Sequence, residues 1–203
     1  GQMIPYGKAT EPDFGVGTGS VVKAGNTYYF YYTGHNETSP FIQNNPRESV
    51  LCATSTDLKN WTKIPNFKIT APEEYYDYDF RDPHVFYNEK DGNYNMIVST
   101  QTNSSRKAVL LAFTSSNPST GNWQVKGPIY TTTPQENYLM MECADIFQMG
   151  NYYYLVFSEN WGNSRGTHYR MASSIDGPWS KPEQDMFDGE YFYAAKTTSD
   201  GNK

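Results

Sequence analysis

The chain repeats itself. "NTYYFYYTG" (26–34), "GNYNMIVST" (92–100) and "GNYYYLVFSE" (150–159) are each a turn followed by a run rich in β-branched and aromatic residues. A shorter run precedes each of them: "GSVVKAG", "PHVFYNEKDG" and "CADIFQMG". A third run follows: "SVLCATSTDLKNW", "AVLLAFTSSNPSTGNW" and "HYRMASSIDGPW". The units close on Trp61, Trp123 and Trp179, a period of roughly 60 residues, in the range of large propeller blades. Polar alternation is clear in "YRMASS", while the continuous apolar runs suit strands buried on both faces. No stretch longer than about ten residues keeps a helical period free of Gly or Pro. Three to four antiparallel strands, repeated, predict an all-β fold, a β-propeller. A β-sandwich predicts no repeated Trp-closed unit. The expected blades cover residues 15–65, 78–127 and 141–182, with a further blade opening at 190–203.

At 203 residues the chain suits one domain of moderate size with a sizeable core. Its formal net charge of -6 argues against a nucleic-acid or phosphate-binding groove. No apolar run approaches the roughly 20 residues of a membrane-spanning helix. Cys52 and Cys143 stand far apart, and His35, His84 and His168 lack paired ligand spacing, so neither a disulfide framework nor a metal site is expected. Eighteen tyrosines and eleven phenylalanines fit a strand-rich core, and also platforms on which sugars stack. The run "FYAAKTTSDGNK" reaches an Asp-Gly turn without a returning strand, so the stretch reads as part of a longer protein.

In a propeller the first strand of every blade lines the central channel, so residues at the starts of those strands converge on one axial pocket. Here the starts are "GTGS" (17–20), "FRDP" (80–83), "MECAD" (141–145) and "YFYAAKT" (191–197). Two equivalent places carry a carboxylate, Asp82 and Glu142. Taken singly, Arg81–Asp82 reads as a surface ion pair of about 0–1 kcal/mol and Glu142 as a rim residue. Taken together they suit a sugar-cleaving pocket, because glycoside hydrolysis needs carboxyl groups flanking the scissile bond, one of them protonated near neutral pH.

"FRDPHVF", "MECADIF" and "FYAAKT", in this order and spacing, resemble glycoside hydrolase family 32, the invertase, inulinase and levanase family of β-fructosidases. The resemblance runs from "GTGS" to "FYAAKT" and implies a five-bladed propeller, of which about three and a half blades are present. It implies a retaining glycosidase acting on sucrose, inulin or levan, with no cofactor and no metal; family members are both secreted and cytoplasmic. By position, Glu142 matches the general acid/base, and Asp82 the carboxylate that holds fructosyl hydroxyls and stabilises the transition state. Arg81 matches a residue that orients the carboxylates, Thr18 a sugar-contacting hydroxyl, and Tyr193 with Lys196 a pair near the acid/base. Cys143 also fits the pattern. Two departures stand out. The Asn-Asp-Pro stretch that bears the family's nucleophile is absent, Asp82-Pro83 being the one Asp-Pro pair, and Gly17 replaces an aromatic residue. The nucleophile, the first blade and the partner that completes the propeller are thus expected outside this stretch, and residues 1–203 alone are expected to be inactive. Two alternatives remain: a non-catalytic glycan-binding propeller, and an arabinan- or xylan-cleaving enzyme like family 43.

Overall fold

The computed structural model describes residues 3–161, 165–189 and 191–198. The Asp200-Gly201 turn named above lies outside the described residues, as do Glu190 and the other residues of 199–203. Among the described residues, eleven strands form three antiparallel sheets in chain order. The first holds β1 (Gly15–Ala24), β2 (Thr27–His35), β3 (Glu48–Ser55) and β4 (Thr62–Lys63). The second holds β5 (Arg81–Asn88), β6 (Asn93–Gln101), β7 (Ala108–Ser115) and β8 (Gln124–Thr131). The third holds β9 (Glu142–Met149), β10 (Tyr152–Glu159) and β11 (Gly166–Ala172). A single helical turn, α1 (Ser39–Ile42), opens on a proline and buries Phe41.

Each sheet is one copy of the repeated unit. The first two strands of every sheet turn around Gly25, Gly92 or Gly150, each with positive φ, where a side chain would strain the backbone. Each tryptophan immediately precedes the outermost strand: Trp61 before β4, Trp123 before β8, and Trp179 before Ser180, which bridges Met171. That outermost strand is complete only in the second sheet. In the third, Lys181-Pro182 interrupts it, leaving bridges at Met171–Ser180 and His168–Met186, because proline cannot donate to the ladder.

The apolar runs are continuous because both faces of the central sheet are buried. Met96, Val98, Val109, Leu111 and Phe113 pack toward Tyr31, Val50 and Cys52 of the first sheet. Their strand neighbours Ile97, Ala108 and Leu110 turn the other way, onto Ala144, Ile146, Leu155 and Phe157 of the third. This is the stacking of propeller blades. Trp123 of the second sheet meets Tyr31 of the first edge-on, with centroids 5.6 Å apart, and the Tyr31 hydroxyl donates to the Pro118 carbonyl.

The inner strands β1, β5 and β9 lie side by side. Ser20 Oγ donates to the Pro83 carbonyl at 2.9 Å and accepts the Val85 N–H at 2.8 Å. His84 Nε2 lies 3.2 Å from Asp145 Oδ1, and burial holds the His84 imidazolium below its ordinary pKa despite that carboxylate. Asp145 Oδ2 accepts both the backbone N–H (2.5 Å) and the hydroxyl (2.7 Å) of Thr197. Residues 191–198 therefore continue the inner ring beside β9, without forming a strand of their own among the described residues.

Candidate active site

All three inner strands begin with a bulge. Register shifts fall between Val16 and Gly19 in β1, Arg81 and His84 in β5, and Val156 and Ser158 opposite the start of β9. Bulges bend a strand and re-aim the side chains beside them. In the first sheet the bend demands glycine: a Cβ at Gly19 would overlap the Tyr31 carbonyl. In the others it is taken up by left-handed residues, Asp82 (φ 59°) and Cys143 (φ 53°), and Ala194 (φ 61°) repeats the conformation in the final segment. For non-glycine residues this backbone is costly, of order 1–3 kcal/mol each, so it needs support.

The support comes from hydroxyl groups near the ends of the second strands. Thr33 Oγ1 accepts the Asp82 N–H at 2.8 Å and donates to the Thr18 carbonyl at 3.0 Å. Ser99 Oγ donates to the Met141 carbonyl at 2.5 Å. Ser158 Oγ accepts the Ala194 N–H at 2.9 Å. Each blade thus ties down the start of the next inner strand.

The result is a cleft of about 440 Å³ lined by Thr18, Arg81, Asp82, Glu142 and Tyr193, together with Gly15, Gly17, Thr33, His35, Glu48 and Cys143. Five of the six residues singled out from sequence share this one space. The sixth, Lys196, is not among its lining residues; its Nζ donates to the Ala144 carbonyl at 2.6 Å. Asp82 is 4% exposed and its Oδ2 accepts the Cys143 N–H at 2.8 Å. Burial raises the Asp82 pKa, against the pull of that N–H and of Arg81. Glu142 Oε1 receives Arg81 Nε at 3.0 Å and Nη2 at 2.9 Å, and the Tyr193 hydroxyl donates to Oε2. Burial opposes the charge on Arg81, but Glu48, Asp79 and Glu142 outweigh it and raise its pKa. Burial, then Glu142, likewise raises the pKa of Tyr193. The Cys143 thiol is pushed up to about 12 by burial and by Asp82, so it is a packed neutral group and no nucleophile. Lys196 is lowered by burial, partly offset by Asp145.

Four residues of the site were not anticipated: Thr33, His35, Glu48 and Asp79. Glu48, at the start of β3 and 5% exposed, accepts the Phe80 N–H and Arg81 Nη1, both at 2.9 Å. Its other oxygen lies 3.2 Å from His35 Nδ1. Asp79 accepts Arg81 Nη1 at 2.6 Å and Arg47 Nη2 at 2.9 Å. The hydroxyl near the end of every second-strand run could have revealed Thr33. Glu48 leaves no such signal, because its partners are distant in sequence. Among the described residues no group of His, Cys, Asp and Glu side chains is arranged to hold a metal, and no helix is long and apolar enough to cross a membrane.

The family model of the Glycosyl hydrolases family 32 N-terminal domain matches residues 4–203. The chain belongs to glycoside hydrolase family 32. It is 28% identical over 199 residues to a sucrose-6-phosphate hydrolase of Staphylococcus xylosus, covering 93% of this chain and 38% of that protein. It is 30% identical over 166 residues to a raffinose invertase of Escherichia coli, covering 80% and 33%. This family 32 chain therefore spans about a third of the length of the curated relatives it matches. Among solved structures, a family 32 beta-fructofuranosidase of Bombyx mori superposes with a TM-score of 0.72 at 21% identity, over 94% of this chain and 42% of that one. The likeness identifies the three sheets as propeller blades. Membership in family 32 also sets aside the alternative of a family 43-like enzyme.

Proposed function

We propose that the protein to which this chain belongs cleaves β-fructosidic bonds of sucrose or fructans by a retaining, two-carboxylate mechanism. The observation that carries the reading is the convergence of Asp82 and Glu142, from equivalent strand starts in adjacent blades, on one cleft. Glu142 is the acid/base: it protonates the leaving oxygen, then takes a proton from the attacking water. Asp82, held by the Cys143 N–H, binds fructosyl hydroxyls and stabilises the oxocarbenium-like transition state. Arg81 and Tyr193 hold the two oxygens of Glu142, and Thr18 lines the sugar site from the first sheet. Lys196 acts from outside the cleft, through the charge it places near Asp82 and Cys143.

Residues 1–203 then form part of one propeller domain, and the nucleophilic carboxylate and the remaining blades lie in sequence outside this stretch. The reading is supported by the absence of a second Asp-Pro motif and by the share of the relatives' length that the chain spans. A neutral sugar suits the cleft. Glu48, Asp82 and Glu142 line it against the guanidinium of Arg81, which is already ion-paired to Glu48, Asp79 and Glu142.

The test is Glu142→Gln in the complete protein, which keeps the shape of the side chain and removes the transferable proton. Sucrose hydrolysis is expected to fall on the order of 10²–10⁴-fold. An activated aryl fructoside, whose leaving group needs no protonation, is expected to lose far less in the fructosylation step. Equal losses on both substrates, with chemistry rate-limiting, would assign the proton donor elsewhere. Glycan binding without hydrolysis by the complete wild-type protein would favour the non-catalytic propeller.

A further inference from the structure

Arg81 is shared. One edge of its guanidinium, Nε and Nη2, rests on Glu142 Oε1. The remaining nitrogen, Nη1, is taken by two other carboxylates, Glu48 Oε2 at 2.9 Å and Asp79 Oδ1 at 2.6 Å. Both are fixed independently of Arg81. Glu48 is buried, accepts the Phe80 N–H at 2.9 Å and lies 3.2 Å from His35 Nδ1. Asp79 is clamped by Arg47, whose Nε donates to the Tyr78 carbonyl at 2.9 Å and whose guanidinium lies 3.4 Å from the centre of the Tyr78 ring. Tyr78 stacks in turn on Tyr76, with ring centroids 5.8 Å apart.

We propose that Glu48 and Asp79 are positioning residues that set how strongly Glu142 holds its proton, by dividing the Arg81 guanidinium between themselves and Glu142. The inference rests on the reading of Glu142 as acid/base. A glycosidase acid has to stay protonated until the leaving oxygen takes its proton. A guanidinium devoted wholly to Glu142 would favour the carboxylate and empty the donor too early. Two competing carboxylates draw part of that charge away, and their own negative charge nearby favours the protonated acid. The other groups facing Glu142 are Asp82 from β5, the Cys143 thiol beside it on β9, Glu159 from β10 and the Tyr193 hydroxyl. Glu48 is faced by His35 from β2, by Arg47 beside it and by Arg81.

The sign follows. In Glu48→Gln one competing charge disappears, Arg81 leans on Glu142, and the acid loses its proton at lower pH. In the complete protein, with sucrose, the basic limb of kcat/KM is expected to move down by about one pH unit. On the acid side the loss of rate is expected to be smaller than on the basic side. Asp79→Asn is expected to move the same limb in the same direction, and with its half-buried site it provides the decisive measurement if Glu48→Gln does not fold. The aryl fructoside supplies the contrast, since its basic limb does not depend on a proton donor and is expected to stay in place. A purely structural role for these residues would lower activity by the same factor at every pH. An unmoved basic limb in folded Asp79→Asn, or in folded Glu48→Gln, overturns the inference. Glu142→Gln run beside them separates the two readings. If it spares sucrose hydrolysis, the acid assignment itself is wrong; if it selectively cripples sucrose while the limbs of the other variants stay put, only the role of Glu48 and Asp79 falls.

Discussion

Asp82 holds a carboxyl group almost entirely out of water, in a backbone conformation that asparagine and aspartate tolerate better than most residues. What it gains is aim: the left-handed turn at the bulge points the carboxyl across to the Cys143 N–H and into the cleft. Asp82→Asn preserves that shape and removes the charge. Sucrose and an aryl fructoside are therefore both expected to lose on the order of 10²–10³-fold in kcat, because the lost interaction acts on the transition state and not on the leaving group. Parallel assays on the two substrates check this, and a loss confined to sucrose would move Asp82 into the proton-transfer role. Glu159 poses the opposite case, a buried carboxyl outside the cleft lining. Its Oε1 accepts the Trp161 N–H at 2.6 Å, and its Oε2 makes no hydrogen bond within normal distance among the described residues. Burial pushes it up to about 7, against the backbone N–H groups of Trp161 and Leu139 and with some help from the charge of Glu142. A raised folded-state pKa means the native protein binds this proton more tightly than the unfolded chain. Its contribution is thus favourable below about 4.5 and is lost as pH rises through about 7. Glu159→Gln does not titrate, so its stability relative to wild type is expected to climb across that window, by up to roughly 3 kcal/mol. Urea midpoints of the two complete proteins between about pH 5 and pH 8 measure it; parallel curves would mean the carboxyl is ionised throughout.

At the scale of strands, the site depends on joints between blades more than on any single blade. Thr33 lies in β2, yet its hydroxyl satisfies the N–H of Asp82 in β5. Thr33→Val keeps the volume and the β-branch but orphans that buried N–H, which costs about 1–3 kcal/mol, and it frees the turn that aims Asp82. A lower unfolding midpoint and a drop in kcat are expected together in the complete protein, since one hydrogen bond serves both. Stability lost without any change in kcat would show that the turn holds its shape unaided. Much of this level was legible in the residues. The three runs per unit became three strands, the tryptophans mark the entry to each outermost strand, and "RDP" and "EC" both fall at the starts of inner strands. What could not be read were contacts between positions with no relation in the repeat. Glu48 reaches Arg81, 33 residues on, and carries no counterpart in the other units that would mark it. Nor does the self-alignment foresee that Lys181-Pro182 breaks the last strand of the third sheet, since β4 and β8 alone suggest an ordinary partner for β11. Repeats reveal what each blade does alike; function sits in what each blade does differently.

Seen whole, the stack of three sheets buries its middle and exposes apolar surface at both ends. The face of the first sheet that turns away from the second carries Tyr32, Leu51 and Ala53, with Phe30 and Trp61 packed beside them. Ile4 covers part of it, but Met3, Tyr6 and Val21 are 58%, 66% and 47% exposed. At the other end, Phe147, Tyr154, Tyr169 and Phe187 form a continuous strip of ring contacts, with successive centroids 5.2, 6.3 and 5.1 Å apart. Phe187 is 52% exposed and Met149 51%. Such faces resemble the inner surfaces between the sheets more than ordinary surface, and large exposed apolar patches drive association. The proposal that further blades complete the propeller accounts for both ends at once. Residues 1–203 expressed alone are then expected to self-associate, to bind a hydrophobic dye such as ANS, and to release no fructose from sucrose, since this stretch lacks the Asn-Asp-Pro motif that bears the nucleophile. Placing charge on the exposed strip, as in Phe187→Glu, separates the two consequences. It is expected to reduce association of the isolated chain while leaving it inactive, and to destabilise the complete protein, where the strip would be covered by a neighbouring blade. Sedimentation of the isolated chain, fructose release and the unfolding midpoint of the complete variant are the three measurements. A monodisperse, dye-silent chain that hydrolyses sucrose would overturn the proposal of an incomplete propeller, because it would mean that three sheets suffice both to close the fold and to supply every group the reaction needs.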